Sequence, residues 1–167
     1  MDAISGVDPN LEGQWVNMIV EIPAGSTEKW EVNKATGQIE RDSIDGQPRA
    51  INYLGYPGNY GFIPQTLLPK EQGGDGDPLD ILVIGESVER GTVLRCKIVG
   101  VLKLLDDGEQ DDKLIAIAEE SPIAALNNIT DLKNEYRGIL EIIETWFSNY
   151  KGDGVMESQG YAAVDSA

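Results

Sequence analysis

Along residues 16–22 apolar and polar positions alternate, with Val16, Met18, Val20 and Ile22 on one face and Asn17, Ile19 and Glu21 on the other. This period of two predicts a β-strand, which Pro23 ends. A short strand follows at 29–32, with Lys29 and Glu31 on one face and Trp30 and Val32 on the opposite one. Residues 33–37 carry hairpin-turn chemistry. Residues 45–78 are rich in Gly, Pro, Asn and Tyr and read as a long structured loop, a feature that is usually functional inside a compact domain. The run at 80–85 is apolar enough for a buried strand. A longer strand at 93–105 carries Arg95, Lys97 and Lys103 on one face, and another strand lies at 114–118.

The last third changes period. Leu132, Tyr136, Ile139, Leu140, Ile143, Trp146, Phe147 and Tyr150 recur at three- and four-residue steps, forming one face of an amphipathic helix. Asp131 is the expected N-cap and Gly152 the expected stop. The aromatic members read as core anchors rather than a cofactor box. No repeat, heptad register or low-complexity block is visible. The pattern predicts an α+β domain in which a small, highly curved antiparallel sheet carries a packed helix.

At 167 residues the chain suits one domain, 1–167, and its 41% hydrophobic content can fill a core. No apolar run approaches the roughly 20 residues that span a bilayer. The N-terminus shows neither a basic nor an apolar signal region, so a cytoplasmic location is expected, an exported form after signal removal being compatible. The single cysteine, Cys96, lies in an apolar run and reads as a buried inert thiol. The formal net charge of −16 opposes nucleic-acid binding. With no histidine and one cysteine, zinc sites and His-based nucleophilic triads are disfavoured. Any metal must therefore be held by oxygen, which points to Mg²⁺, Mn²⁺ or Ca²⁺.

Asp75, Asp77 and Asp80 lie within six residues, with Gly74 and Gly76 easing the backbone turn and Pro78 stiffening it. Carboxylates about 5 Å apart at an effective dielectric near 20 repel by about 3 kcal/mol per pair. A fold tolerates this where cations bind or where the loop is fully solvated. A second acidic group, spanning Asp106 to Asp112, follows the long strand. Both groups fall at strand termini, where functional loops gather. On these residues alone a metal site and a wet acidic surface both stand. A calcium EF-hand does not fit, because counting from Asp75 puts Asp80 where Gly is required and Pro78 at the fourth position. Lys29, Arg49, Lys113 and Lys151, with nearby tyrosines, add cations and donors that suit a polyphosphate carrying its own Mg²⁺. Each cation taken singly reads as solvated surface.

The heptapeptide Asp75-Gly76-Asp77-Pro78-Leu79-Asp80-Ile81 resembles, at every position, the signature of the soluble family I inorganic pyrophosphatases. Glu21-Ile22-Pro23-Ala24, Lys29-Trp30-Glu31 and Tyr56-Pro57-Gly58-Asn59-Tyr60-Gly61 are similar to further family segments. So are Val99 to Lys103 leading into Asp106, Asp111 and Lys113, and the helix-closing pair Tyr150-Lys151. The likeness covers residues 16–161.

The resemblance implies an OB-like barrel with a five-stranded core and a long C-terminal amphipathic helix packed on it. It implies hydrolysis of inorganic diphosphate to two phosphates by water activated at metal ions, with Asp77 as general base. Asp75, Asp80 and Asp111 would ligate the first of several Mg²⁺ ions, with Mn²⁺ as a substitute. Asp80, Asp106, Asp111 and Glu31 would serve additional ions, with Glu21 acting nearby. Lys29, Arg49, Tyr60, Lys113, Tyr150 and Lys151 would hold phosphate oxygens, and Tyr56 would support the pocket. Arg49 stands seven residues before Tyr56, one fewer than the family spacing, and Arg41 is the more distant alternative. The implied assembly is a homo-oligomer, hexameric by default, with neither nucleic acid nor membrane as partner. Two other classes share parts of this chemistry: a non-enzymatic divalent-ion or nucleotide-binding module, and a phosphohydrolase acting on another phosphoanhydride.

Overall fold

The structure, a computed structural model, describes residues 13–66 and 78–163. Along the chain, β1 (Trp15–Ile22) is followed by the hairpins β2 (Trp30–Val32)/β3 (Ile39–Arg41) and β4 (Ser43–Ile44)/β5 (Gln47–Pro48). Then come β6 (Asn59–Ile63), β7 (Leu79–Ile84), β8 (Val93–Asp106), β9 (Glu109–Gln110) and β10 (Lys113–Ala118). The helices α1 (Ile129–Glu135) and α2 (Ile139–Asn149) precede the last strand, β11 (Met156–Ala162). Strands β1, β6, β7, β10 and β8 are hydrogen-bonded in that order, and β1 also pairs with β8, so five strands close into the barrel. β11 extends β8 beyond it. The pairings are antiparallel except between β7 and β10, which run parallel.

Alternation along the strands divides the apolar side chains into two cores. Val16, Met18 and Val20 of β1, Ile63 of β6, Ile81 and Val83 of β7, Cys96 and Val101 of β8, and Leu114 and Ala116 of β10 form one cluster. It draws on all five barrel strands and no helix, and so fills the barrel. Leu82, Ile115 and Ile117, on the opposite faces, join Ile143, Trp146, Phe147 and Tyr150 of α2 in the second cluster. A strand buried on both faces needs apolar residues at every position, as β10 shows after Lys113.

Four expectations shift. The segment 45–78 is not all loop, because β6 lies wholly buried within it between β1 and β7. Its glycine composition serves close approach, since a Cβ on Gly61 would lie 1.9 Å from the Ile19 carbonyl oxygen. A register shift between Val20 and Ile22 turns Ile22 from the barrel interior to the helix-side core. In β8, Val99 packs in the helix-side core and Val101 in the barrel, with Leu102 back on the helix side. That irregularity, beside a register shift in the β8/β10 pairing, separates Lys103 from the face shared by Arg95 and Lys97, both of which lie over Trp15. Finally, the helical face belongs to two helices broken at Gly138, whose φ of 93° suits only glycine. The first is capped by Asn128, whose side chain accepts from the Asp131 N–H, while Asp131 itself accepts from the Asn127 N–H.

Candidate active site

The ends of β1, β2, β7, β10 and α2 meet around a polar cleft of about 200 Å³. The parallel seam sets its floor. Pairing of Leu114 with Ile81 brings Lys113 level with Asp80. The Lys113 Nζ then donates at 3.0 Å to both Asp80 Oδ2 and Asp111 Oδ1, and its side chain is 3% exposed. Burial on its own lowers the pKa of such an ammonium, but Asp80 and Asp111 together outweigh it and hold Lys113 well above the ordinary lysine value. The ammonium also lies 5.3 Å from the Tyr60 ring centroid.

Glu21, the penultimate residue of β1, lies within the register shift. Its buried Oε2 accepts the Val32 N–H at 2.7 Å, tying the β2/β3 hairpin to the barrel. Burial pushes the Glu21 carboxyl up to about 8; the Val32 hydrogen bond opposes this, and Asp80 and Glu31 reinforce it. Lys29 lies just before β2, its backbone N–H bonded to the Arg49 carbonyl and its own carbonyl accepting from Asp42. Burial, then the charges of Arg49, Lys151 and Lys113, lower its pKa against the pull of Glu31. Glu31 lines the same cleft.

A second pocket of about 750 Å³ shares Lys29, Tyr150 and Lys151 with the cleft and is lined also by Arg49 and Asp106. There Lys151 donates to Asp106 at 2.6 Å and Arg49 to Asp42 at 2.7 Å. Arg41 does not line either pocket; it pairs with Glu28 at 3.3 Å and donates to the Arg49 carbonyl. Arg49, not Arg41, thus joins the cations at the cleft. Tyr150 stacks on Trp146 with ring centroids 4.6 Å apart. Burial raises the pKa values of both Tyr150 and Tyr60. The Tyr56 ring packs 4.3 Å from Trp146 and 5.2 Å from Tyr60, and its buried hydroxyl has no hydrogen-bond partner among the described residues.

Of the residues singled out in the sequence, Glu21, Lys29, Glu31, Tyr60, Asp80, Asp111, Lys113, Tyr150 and Lys151 line the first cleft. Arg49 and Asp106 line the second pocket, and the Tyr56 ring packs beside that of Tyr150. Asp75 and Asp77 lie outside the described residues. The donors fit a hard divalent cation: all are carboxylate oxygens, and Asp80 and Asp111 already converge on one cation. Among the described residues no group of three such side chains is placed to hold a metal ion.

Sequence reasoning gave no role to Lys34, which also lines the cleft, or to Arg90, whose guanidinium lies 4.0 Å from the Trp30 ring centroid. Arg90 stands in a loop far from the hairpin in sequence, and no local pattern marks it. Asn59, quoted only as part of the tyrosine loop, is fully buried and ties Ala24, Glu86 and Val88 together. Among the described residues, no helix is long and apolar enough to cross a membrane.

The chain is similar to a soluble inorganic pyrophosphatase of Oryza sativa subsp. indica, at 40% identity over 136 residues, covering 81% of this chain and 58% of that protein. It is likewise similar to an inorganic pyrophosphatase of Ralstonia nicotianae, at 40% identity over 137 residues, covering 81% of this chain and 73% of that one. The solved structure of an N-terminal domain truncated vacuolar soluble pyrophosphatase from Trypanosoma cruzi, in complex with PPi, has a TM-score of 0.85 at 28% identity. That match covers 99% of this chain and 69% of the other. This chain therefore spans less of the rice relative, 58%, than of the Ralstonia one. The inorganic pyrophosphatase family model matches residues 18–165, and the chain belongs to that family.

Proposed function

We propose that this chain hydrolyses inorganic diphosphate to two phosphates in a Mg²⁺-dependent reaction, in the cleft around Lys113. The observation that carries this reading is the buried Lys113 ammonium held 3.0 Å from both Asp80 and Asp111, with Lys29, Arg49 and Lys151 gathered nearby. Carboxylates and cations interleaved in one small cleft suit a polyanion that arrives with metal ions, and family membership supplies diphosphate as that polyanion.

Asp75, Asp80 and Asp111 would hold the first Mg²⁺, with Mn²⁺ as a substitute, and Glu31, Asp106 and Glu21 would serve further ions. Bound there, such ions neutralise phosphate charge and lower the pKa of water. Lys113 keeps its proton and acts as a fixed positive charge toward a phosphate oxygen. Lys29, whose pKa is lowered by burial and neighbouring cations, is relieved when an anion enters among Arg49, Lys151 and Lys113. Tyr60 and Tyr150 retain their protons and donate neutral hydrogen bonds, with Tyr56 supporting both rings. Asp77 takes the proton from the attacking water. Charge developing on the departing phosphate falls to Lys29, Arg49 and Lys151. Homo-oligomeric assembly and a cytoplasmic location rest on the family relation alone.

The test is phosphate release by the purified chain from diphosphate, triphosphate and ATP, each with and without Mg²⁺. Turnover of diphosphate that needs Mg²⁺ and exceeds that of the other two substrates is expected. Preference for ATP or triphosphate makes the chain a different phosphohydrolase, and no release from any of the three makes it a binding module.

A further inference from the structure

The β2/β3 hairpin carrying Lys29 and Glu31 forms its own two-stranded sheet, outside the barrel. Whatever fixes it against β1 sets the distance between its side chains and those of the barrel. The Glu21 carboxylate makes one tie, to the Val32 N–H. A second tie starts from the same residue. The Glu21 carbonyl accepts from Arg90 Nε at 2.8 Å, and the Arg90 guanidinium carbon lies 4.0 Å from the Trp30 ring centroid. Trp30 stands between Lys29 and Glu31 and packs against the helix-side core.

Arg90 is itself anchored. The backbone flanking it is docked on β1, with the Gly91 N–H donating to the Val20 carbonyl and the Val20 N–H to the Thr92 carbonyl. A guanidinium suits the task, because its flat face stacks on the indole while its edge donates to a carbonyl. Beyond the ring, the Trp30 indole N–H donates to Glu28 at 3.4 Å, and Glu28 pairs with Arg41, which donates to the Arg49 carbonyl. The contacts therefore run from β1 across the hairpin to the segment that presents Arg49.

We propose that Arg90 is a positioning residue, clamping Trp30 to the end of β1 so that Lys29 and Glu31 face the barrel carboxylates in register. Its place in diphosphate turnover rests on the function proposed above.

The test compares Arg90→Met, which keeps an apolar stem over Trp30, with Arg90→Lys, which keeps a cation over the ring. Arg90→Met should lower kcat/KM for magnesium diphosphate by roughly tenfold, because small misplacements of binding groups are costly. Arg90→Lys should recover most of that loss. In a Lys29→Gln background the Arg90→Met loss should shrink, since both changes then disable one group. A purely structural contribution would multiply with Lys29→Gln instead, and that outcome overturns the proposal, as does an unchanged kcat/KM. Hydrogen exchange of residues 29–41 without substrate gives a readout independent of activity. Faster exchange in Arg90→Met, reversed in Arg90→Lys, is expected, and unchanged exchange overturns the clamp. If the unaltered chain releases no phosphate, the functional reading falls while exchange still decides the clamp.

Discussion

Without metal, Glu21 is a buried carboxyl whose pKa rises from 4.5 to about 8, so folding takes up a proton there across the neutral range. The sign follows from linkage. An acid with a raised folded-state pKa contributes stability that is full below its unfolded value and is lost as pH rises through the folded value. At about 1.36 kcal/mol per pKa unit the whole loss approaches 5 kcal/mol, of which about 3–4 kcal/mol falls between pH 5 and 8. The chain has no histidine, and burial pushes the Cys96 thiol up to about 12. Lys29, with its pKa lowered, acts in the opposite direction toward the alkaline end, and because its charge lowers the Glu21 pKa the two titrations are linked. Glu21→Gln removes the titration while leaving an amide oxygen to accept the Val32 N–H. Urea unfolding in EDTA at fixed ionic strength, from about pH 5 to about pH 8, measures the difference. The parent should lose about 3–4 kcal/mol relative to the variant across that range. Parallel curves for the two chains would refute the burial argument for Glu21.

Two further outcomes bear on the same site. Asp77→Asn should lower diphosphate turnover by roughly 10²–10⁴-fold, the usual contribution of a general base, with the unfolding midpoint kept; an unchanged rate removes Asp77 from the mechanism. Lys113→Met should cost about 1–3 kcal/mol in EDTA, because Asp80 and Asp111 lose their shared partner while keeping partial access to water. Thermal melts with and without Mg²⁺ should show the ion restoring this variant more than the parent.

The strands with a clear period, β1, β7, β8 and β10, were legible because each carries an apolar row against one of the two cores. β6 was not. Its Asn-Tyr-Gly core looks like turn chemistry, and only the 1.9 Å approach to the Ile19 carbonyl explains why glycine stands there. The helix break at Gly138 was hidden for a related reason: the apolar spacing continues through it, and a single glycine does not announce a left-handed residue. The candidate site residues within the described structure stood out in the sequence as chemical types and as a family pattern, and all but Tyr56 line one cleft and the neighbouring pocket. Their pairing was not legible, because the Asp80–Lys113 contact depends on the parallel seam between two strands far apart in the chain.

The charge balance shows most directly what three dimensions add. A chain of net charge −16 is a poor candidate for binding a polyanion if its charge is averaged over the surface. The fold does not average it. Of 13 lysines and arginines, Lys29, Arg49, Lys113 and Lys151 are close enough that the last three all depress the pKa of Lys29. Part of that positive charge is already answered, Lys113 by Asp80 and Asp111, Lys151 by Asp106, and Arg49 by Asp42. The carboxylates that answer Lys113 and Lys151 are also the ones proposed above to hold divalent cations. Metal ions drawing on Asp80, Asp111 and Asp106 would therefore compete with the lysines for the same oxygens and free positive charge toward the cleft. On the proposed function, carboxylates and cations would thus form one coupled array, in which occupation by metal and attraction for a phosphate anion would favour each other.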